Sequence, residues 1–600
     1  MTDVGNSGGS LVMKWTQLRG VRRLIWLVVW VLTGVTVCSL AAAGTPPFRP
    51  AILFNGEVLD DQGFNAQMVR GIRRFEDRYG VAVTPFTEVE PVAHRQRLRQ
   101  LAEAGYTPIL VPSSSTAESV RRVAADFPDT VFITLDYTLD RPNVRSVAFR
   151  EAEVAFLAGV AAARRSDSGH LGFLGGVANE ALEEFRRGFE AGARTVRDDV
   201  QVTVRYLAEV TPRPWSDHAA ARRLVAAMVA NGADVVFPVA GDSSLGALAE
   251  ADRLGVLAIG VDSDQNPLFP DSVLTSATKR LDQAVYVSLI NERYRLWLTH
   301  QKNLGLAQGG IALVLDGGSR RLLGETLVAE LQDYQREIVL GARNPLTGER
   351  DDVLWQAMAS TRGRPAEMTV ALPAEAFFPL LLGNGPALHQ PRPGLLVDAL
   401  ELLAERAGVT IHYRRQPRKR ALMSLQQGRV DGVISSTALD DVRSQGHLPG
   451  GTERLDSARA VLSWRWGLYR LKTDDEDRPW PRSAVVPTAS SVGQRLRRHG
   501  VRVYENPSLE GRFEMLLRGR VQAVAADRLY AEHLLAVNPR FRKRIEPIPA
   551  ALGRGYSYLV FSDDFYQRYP EFCELLWNQL SEIQQSAELW DRVPEYLGSL

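Results

Sequence analysis

Between residues 51 and 339 the chain alternates short apolar runs with amphipathic stretches of helical length. The runs include "AILFNG", "TPILVP", "TVFITLDY", "HLGFLGG", "VTVRYL", "ADVVFPVAG" and "VLAIGVDSD". Between them lie "NAQMVRGIRRFEDRYG", "TAESVRRVAADFP", "EEFRRGFEAGARTV", "AAARRLVAAMVANG" and "LGALAEADRLG". Apolar strands separated by crossover helices predict parallel sheets covered on both faces. In such sheets ligands bind beyond the carboxyl ends of the strands. "GEVLDDQGFN", "LDYTLDRPN", "LGGVANE", "VAGDSS" and "VDSDQ" each follow a run directly, so polar residues gather where a site belongs.

The N-terminus reads differently. Lys14, Arg19, Arg22 and Arg23 lead into an apolar stretch from Leu24 to Ala43 that ends in "SLAAAG". A basic start, an apolar core and small residues at the end make 1–43 a signal peptide or an N-terminal membrane anchor formed by 24–43. The rest of the chain is then expected outside the cytoplasm, in the periplasm or its equivalent, free or anchored to the plasma membrane. Val37 before Cys38 is a poor match to a lipidation signal. Cleavage after Ala43 leaves Cys573 alone, which excludes an internal disulfide and a cysteine metal cluster. Lys plus Arg number 71 and Asp plus Glu 70, so no net field directs the chain to nucleic acid.

Asp262 and Asp264 sit two apart after an apolar run, with Lys279 further on. A coupled acid dyad needs the strand to continue, and Pro267 argues against that. No histidine or cysteine lies near Asp262 to complete a transition-metal site, and the spacing lacks the glycine-punctuated calcium loop. The phosphate-loop and nucleophile-elbow patterns are also missing. An ionised carboxylate accepts hydrogen bonds only, which suits the paired hydroxyls of a ribose. Phe64 in "DDQGFN" offers a ring for a planar base, between Asp61 and Asn65. Each residue also has an ordinary reading: Phe64 as a lid on the core, Asp262 as a cap, Lys279 on a solvated face, and Trp215 as a staple before a helix capped by Ser216 or Asp217.

Five blocks together, "DDQGFNAQMVRGI", "VAFREAEVAFLAGVAA", "LGFLGGVANEALEEFRRGFEAGA", "NGADVVFPVAG" and "AIGVDSDQNPLFPDSVLTSATKRLDQAVY", resemble the basic membrane protein family of purine-nucleoside-binding proteins of ABC importers. The resemblance implies a two-lobed clamshell over residues 48–345, with no catalytic residue and no cofactor or metal. It implies that Asp61, Phe64 and Asn65 form a first ligand loop with Phe64 on the base. Asp136 would bond the base edge and Trp215 would form the opposite stacking face, with Phe185 in reserve. Gly241 would line the cleft, Asp262 or Asp264 would hold the ribose, and Lys279 would lie at the rim. The chain departs from the family in "VAGDSSLGAL", where Asp242 and Ser243 replace small residues, and in the glycine of "DDQGFN". Implied partners are a purine nucleoside and ABC permease subunits; the alternative is a receptor that reports to a membrane sensor.

Residues 346–367, rich in glycine, proline and charge, read as a linker. Residues 368–600 resemble the amino-acid-type solute-binding proteins called family 3, through "QPRKRALMSLQQGRVDGVISST", "LEGRFEMLLRGRVQAVAADRLYAEHLL" and "YPEFCELLWNQL". The expected fold class is therefore α/β, with two tandem periplasmic-binding-protein-like modules. Each would be a clamshell of mostly parallel sheets flanked by helices. In the second module the resemblance implies Asp431, Arg443 and Asp527 as ligand residues, although Arg443 lies six residues after Thr437, farther than usual. Retention of the fold without a pocket is the alternative.

Overall fold

The apolar runs become strands. The computed structural model describes residues 48–600 except 55–57, 89–90, 295–300, 353–354, 356–363, 437–445, 451–455, 473–479, 489, 549–551 and 598–600. The signal segment with Cys38 lies outside the described residues. Six strands form a first sheet in the order Gln301–Leu304, Val144–Phe149, Phe132–Leu135, Ile109–Pro112, Ala51–Phe54 and Thr84–Thr87. All its pairings are parallel. A second sheet runs Ile311–Leu313, Val273–Lys279, Leu257–Asp262, Val235–Val239, His170–Gly175 and Gln201–Tyr206. It is parallel apart from the antiparallel edge Ile311–Leu313. Ala51, Ile52, Leu53 and Phe54 have no exposed surface, as expected of a strand covered on both faces.

The chain passes between these two lobes three times. Helix Glu151–Arg165 leaves the first sheet for the second, helix Leu281–Arg293 returns, and the segment between Gln301–Leu304 and Ile311–Leu313 crosses once more. Repeated crossings between two lobes are what a hinge needs.

Helices Glu151–Arg165 and Glu180–Val196 touch backbone to backbone, because glycines remove the side chains at the crossing. A β-carbon at Gly192 would stand 1.9 Å from the Phe156 carbonyl oxygen, and one at Gly159 would stand 2.0 Å from that of Phe189. Gly192→Ala is therefore expected to destabilise the chain by about 1–3 kcal/mol despite the better helix propensity of alanine, because the helices must part to admit the methyl group. Denaturant midpoints check this; an alanine variant as stable as the parent refutes the close crossing.

The C-terminal half forms one sheet of nine strands, and its topology differs from the expected mostly parallel pattern. Thr410–Gln416, Glu367–Pro373 and Gly432–Ser436 pair in parallel, as do Ser483–Val486 with Arg502–Glu505 and with Ala523–Asp527. The four pairings around Leu462–Leu471 and Arg554–Phe561 are antiparallel. The ten-residue strand Leu462–Leu471 joins the two parts: its start pairs with Arg554–Phe561, its later residues with Ala523–Asp527 and Ile545–Ile548. Two apolar cores flank it. One gathers Ala371, Leu425, Val433 and Val560, the other Val485, Phe513, Val524 and Phe541. Among the described residues no helix is long and apolar enough to cross a membrane.

Candidate functional site

Asp61 follows the first strand and is 2% exposed. Its carboxylate accepts from the amides of Gly63 (3.0 Å), Asn65 (2.8 Å) and Ala66 (3.0 Å), which caps helix Phe64–Tyr79. Burial raises its affinity for a proton, these amides oppose that, and Asp242, from the second sheet, adds to it. Phe64 opens the helix half-buried, and the Asn65 side chain donates to the Val58 carbonyl at 2.8 Å. The loop after the first strand is thus held by its own backbone.

Asp136 follows the strand Phe132–Leu135 and Asp262 ends Leu257–Asp262, and both have positive φ, 75° and 64°. Among the described residues the other non-glycines with positive φ are Gln62 and Ser113, which likewise follow strands of the first sheet. Left-handed backbone at non-glycine positions costs energy and persists where surrounding structure imposes it, often at ligand sites. Asp136, Asp262 and Ser113 stand at the carboxyl ends of strands, where doubly wound sheets bind ligands, and Gln62 lies in the loop that follows the first strand.

Lys279 is placed differently from the expected cleft rim. It is 3% exposed, and its ammonium donates to Asp136 Oδ1 at 2.6 Å and to Glu151 Oε1 at 2.8 Å. Phe149 and Phe185 lie beneath it, with ring centroids 5.4 and 5.2 Å from Nζ. Burial opposes its charge, but Asp136 and Glu151 outweigh that and raise its pKa. No residue near Lys279 in the chain signals this, because the partners lie more than a hundred residues away. Phe185, the reserve stacking ring, is 1% exposed and packs on Phe237 at 6.0 Å, so it belongs to the core. Glu151 was missed; its signal was the strand-end rule, since only Arg150 separates it from strand Val144–Phe149.

Asp262 is 7% exposed, and among the described residues no donor hydrogen-bonds its carboxylate, although its carbonyl accepts from the Gln67 amide at 2.9 Å. Burial pushes it up to about 7; Lys279 opposes the shift, while Asp136 and Asp61 add to it. A β-carbon on Gly63 would lie 3.8 Å from Asp262 Oδ2, so this carboxylate of the second lobe faces the loop before helix Phe64–Tyr79. Asp264 is exposed instead, and accepts from the Asn266 amide at 3.1 Å. Of the two, Asp262 lies against the first lobe and Asp264 braces the following turn. The two residues differ because the backbone turns at Asp262.

Trp215 precedes helix His218–Ala230, whose cap is Asp217, accepting from the Ala220 amide. Its ring is 36% exposed and lies on glycines: a β-carbon at Gly176 would come within 2.4 Å of the ring, and one at Gly241 within 3.6 Å. These glycines follow strands His170–Gly175 and Val235–Val239. One ring face is thus supported by the end of the second sheet while part of the ring meets solvent. Gly241 itself has φ 56°, a turn that favours glycine.

In the C-terminal half, Asp527 is 4% exposed, caps helix Arg528–Val537 through the Tyr530 amide at 2.7 Å, and is pushed up to about 7 by burial. Asp431 opens strand Gly432–Ser436 and accepts from the Thr369 amide at 2.8 Å. By register, Asp527 pairs with Trp466, beyond the opposite end of that strand, so the two aspartates are not brought together. The resemblance that singles out both aspartates places each beside a strand and does not say at which end. Arg443 lies outside the described residues. Among the described residues no group of three His, Cys, Asp or Glu is placed to hold a metal ion.

Comparison with known proteins supplies a frame for this geometry. Residues 49–342 match a family described as ABC transporter substrate-binding protein, PnrA-like. Basic membrane protein A of Borreliella burgdorferi is 30% identical over 299 residues, 48% of this chain and 85% of that protein. The ABC transporter nucleoside-binding protein BmpA of Lactococcus lactis is 29% identical over 233 residues, 37% of this chain and 65% of that one. A solute-binding protein of an ABC transporter system from Aeropyrum pernix is similar at 22% identity and a TM-score of 0.44, over 52% of this chain and 97% of that one. An ancestral arginine-binding protein is more weakly similar, at 17% identity and a TM-score of 0.30, over 39% of this chain and 99% of that one.

Proposed function

We propose, from the premise that this chain belongs to the PnrA-like family of ABC transporter substrate-binding proteins, that the cleft between its first two sheets captures a purine nucleoside for an importer. Such proteins bind and hand over, and catalyse no reaction. The observation that carries the nucleoside reading is Asp262: a buried carboxylate that no described side chain or amide satisfies, facing the loop that presents Phe64. Ribose hydroxyls are the donors it lacks. Trp215, backed by Gly176 and Gly241, supplies a ring face from the other lobe.

Asp61, Asp136, Glu151, Asp242 and Asp262 outnumber Lys279 here, which favours a neutral, donor-rich ligand over a phosphorylated one. Ligand free energy then shifts a hinge equilibrium towards the closed state that a permease recognises. The basic and apolar N-terminal segment supports capture outside the cytoplasm.

A pH titration tests the role of Asp262. Its raised pKa means that the ligand-free fold prefers the neutral acid. Its contribution to stability is complete below the unfolded value near 4 and is lost as the pH rises through about 7. The ionised form is the one that accepts both hydroxyls. Nucleoside affinity is therefore expected to fall by up to about tenfold per pH unit as the pH drops below 7, and to lose this dependence in Asp262→Asn. Calorimetry with adenosine, guanosine and inosine, with the free bases and with a nucleoside monophosphate reads it out. Failure of every nucleoside to bind sinks the ligand; nucleoside binding that is flat between pH 5 and 8 sinks only the clamp.

A second reading, a receptor that signals occupancy, has one observation in its favour. The C-terminal helices rest on the hinge: Gln283 donates to the Gln585 carbonyl at 2.5 Å, Asn578 to that of Val339 at 3.4 Å, and Tyr286 bonds Asp591. Hinge motion would be felt by the second module.

A further inference from the structure

Helix Phe64–Tyr79 buries Gln67, Met68, Gly71, Ile72 and Phe75 and leaves Arg70, Arg73, Arg74, Asp77 and Arg78 exposed. Spacings of three and four put these five on one face. They line a groove of about 520 Å³, whose other wall is Tyr286 from helix Leu281–Arg293 and Asp591 from the C-terminal half. One part of the groove is already filled. The Asp591 carboxylate accepts from the Arg74 guanidinium at 3.1 Å and from the Tyr286 hydroxyl, and its carbonyl accepts from Arg78 at 3.3 Å. The Arg74 guanidinium also lies over the Tyr286 ring, 4.5 Å from its centroid. Arg70 and Arg73, nearer the start of the helix, have no ion-pair or hydrogen-bond partner among the described residues.

Like charges three and four apart on a helix repel. Four arginines against Asp77 and Asp591 leave the groove positive. Exposed arginines are ordinary on a helix; what sets these apart is the groove and the piece of acidic peptide seated in it, a side-chain carboxylate with its own backbone carbonyl. We propose that the groove is a docking site for an acidic peptide segment of a partner protein, seated on Arg70 and Arg73 beside Asp591. From Arg70 to Arg78 the arginines are strung over about 12 Å of helix. A single compact anion meets one turn, whereas carboxylates on one side of an extended chain recur about every 7 Å and meet successive turns. Each guanidinium fork then pairs with a carboxylate. The concave shape favours a chain over a flat lipid surface. Because the walls come from the first lobe, from the helix that returns to it and from the C-terminal half, a docked segment touches all three. The proposal does not depend on what the acidic cleft binds.

The test is fluorescence anisotropy of a labelled, end-blocked hexaglutamate peptide with the full chain at low ionic strength, beside hexaglutamine, inorganic phosphate and phosphatidylglycerol vesicles. Hexaglutamate is expected to bind saturably and to weaken as salt is added, and hexaglutamine is expected not to bind. Arg70→Glu with Arg73→Glu should weaken the peptide about tenfold or more while Tm stays near that of the parent. Arg121→Glu with Arg122→Glu, on the likewise exposed arginines of helix Ala117–Asp126, should leave peptide affinity unchanged. Arg70→Gln with Arg73→Gln provides the same readout should the first double variant not fold. The proposal is overturned if hexaglutamate does not saturate, or if both charge reversals weaken it equally. It is also overturned if phosphate or the vesicles require Arg70 and Arg73 and the peptide does not.

Discussion

Replacing Lys279 by methionine is expected to destabilise the folded chain by about 3–5 kcal/mol, the usual result of removing one partner from a buried ion pair. The ammonium is 3% exposed and lies 2.6 Å from Asp136 and 2.8 Å from Glu151, with Asp262 also within its field. Methionine fills much of the volume but leaves these carboxylates uncompensated in a dry site. Burial already favours the protonated forms of Glu151 and Asp262, and loss of the lysine favours them further. Groups of raised pKa support the fold below their unfolded values and cease to do so as the pH rises through the folded ones. The deficit of Lys279→Met should therefore be larger at pH 8 than at pH 5, and adding Glu151→Gln should recover part of it. Guanidinium unfolding at the two pH values measures both. A loss under about 1 kcal/mol at pH 8, the range of exposed pairs, would show that the lysine does not hold the lobes together.

The second large effect is on binding. Trp215→Ala is expected to weaken purine nucleoside affinity by about 1–3 kcal/mol, roughly 5- to 150-fold, if the indole stacks on the base. Its ring is already partly exposed, so the ligand-free chain should lose little stability by comparison. Trp215→Phe, which keeps a ring face over Gly176 and Gly241, should restore most of the affinity. Phe64→Ala should weaken binding by a similar amount. If the two rings sandwich one base, the double variant should depart from additivity, because both substitutions act on the same bound group. Calorimetric affinities left unchanged by both substitutions would remove the rings from the site. Free purine base should feel these changes as strongly as the nucleoside, whereas Asp262→Asn should matter to the nucleoside alone.

Much of the clamshell could be read from the chain because its signals are local. Apolar runs of strand length between amphipathic helices fix parallel sheets, and polar residues gather at the strand ends, so Asp61, Phe64 and Asp262 stand out as candidates by position and residue type, whereas Asp136 and Trp215 are candidates through the family resemblance. The same locality explains the shortfalls. Asp262 and Asp264 are equivalent in sequence, and only the left-handed backbone at Asp262 turns one inward and leaves the other on the surface. Asp431 and Asp527 both adjoin strands, yet register puts them at opposite ends.

The sequence by itself determined the α/β pattern, the order of strands and helices, and the set of residues standing at strand ends. These follow from hydrophobic periodicity and turn chemistry, which act over a few residues. Only the tertiary structure decided that Lys279 is buried between Asp136 and Glu151, that Phe185 belongs to the core, and that the C-terminal half shares one mixed sheet through Leu462–Leu471. Burial and charge pairing depend on which distant segments meet, and nothing in the neighbouring residues records that.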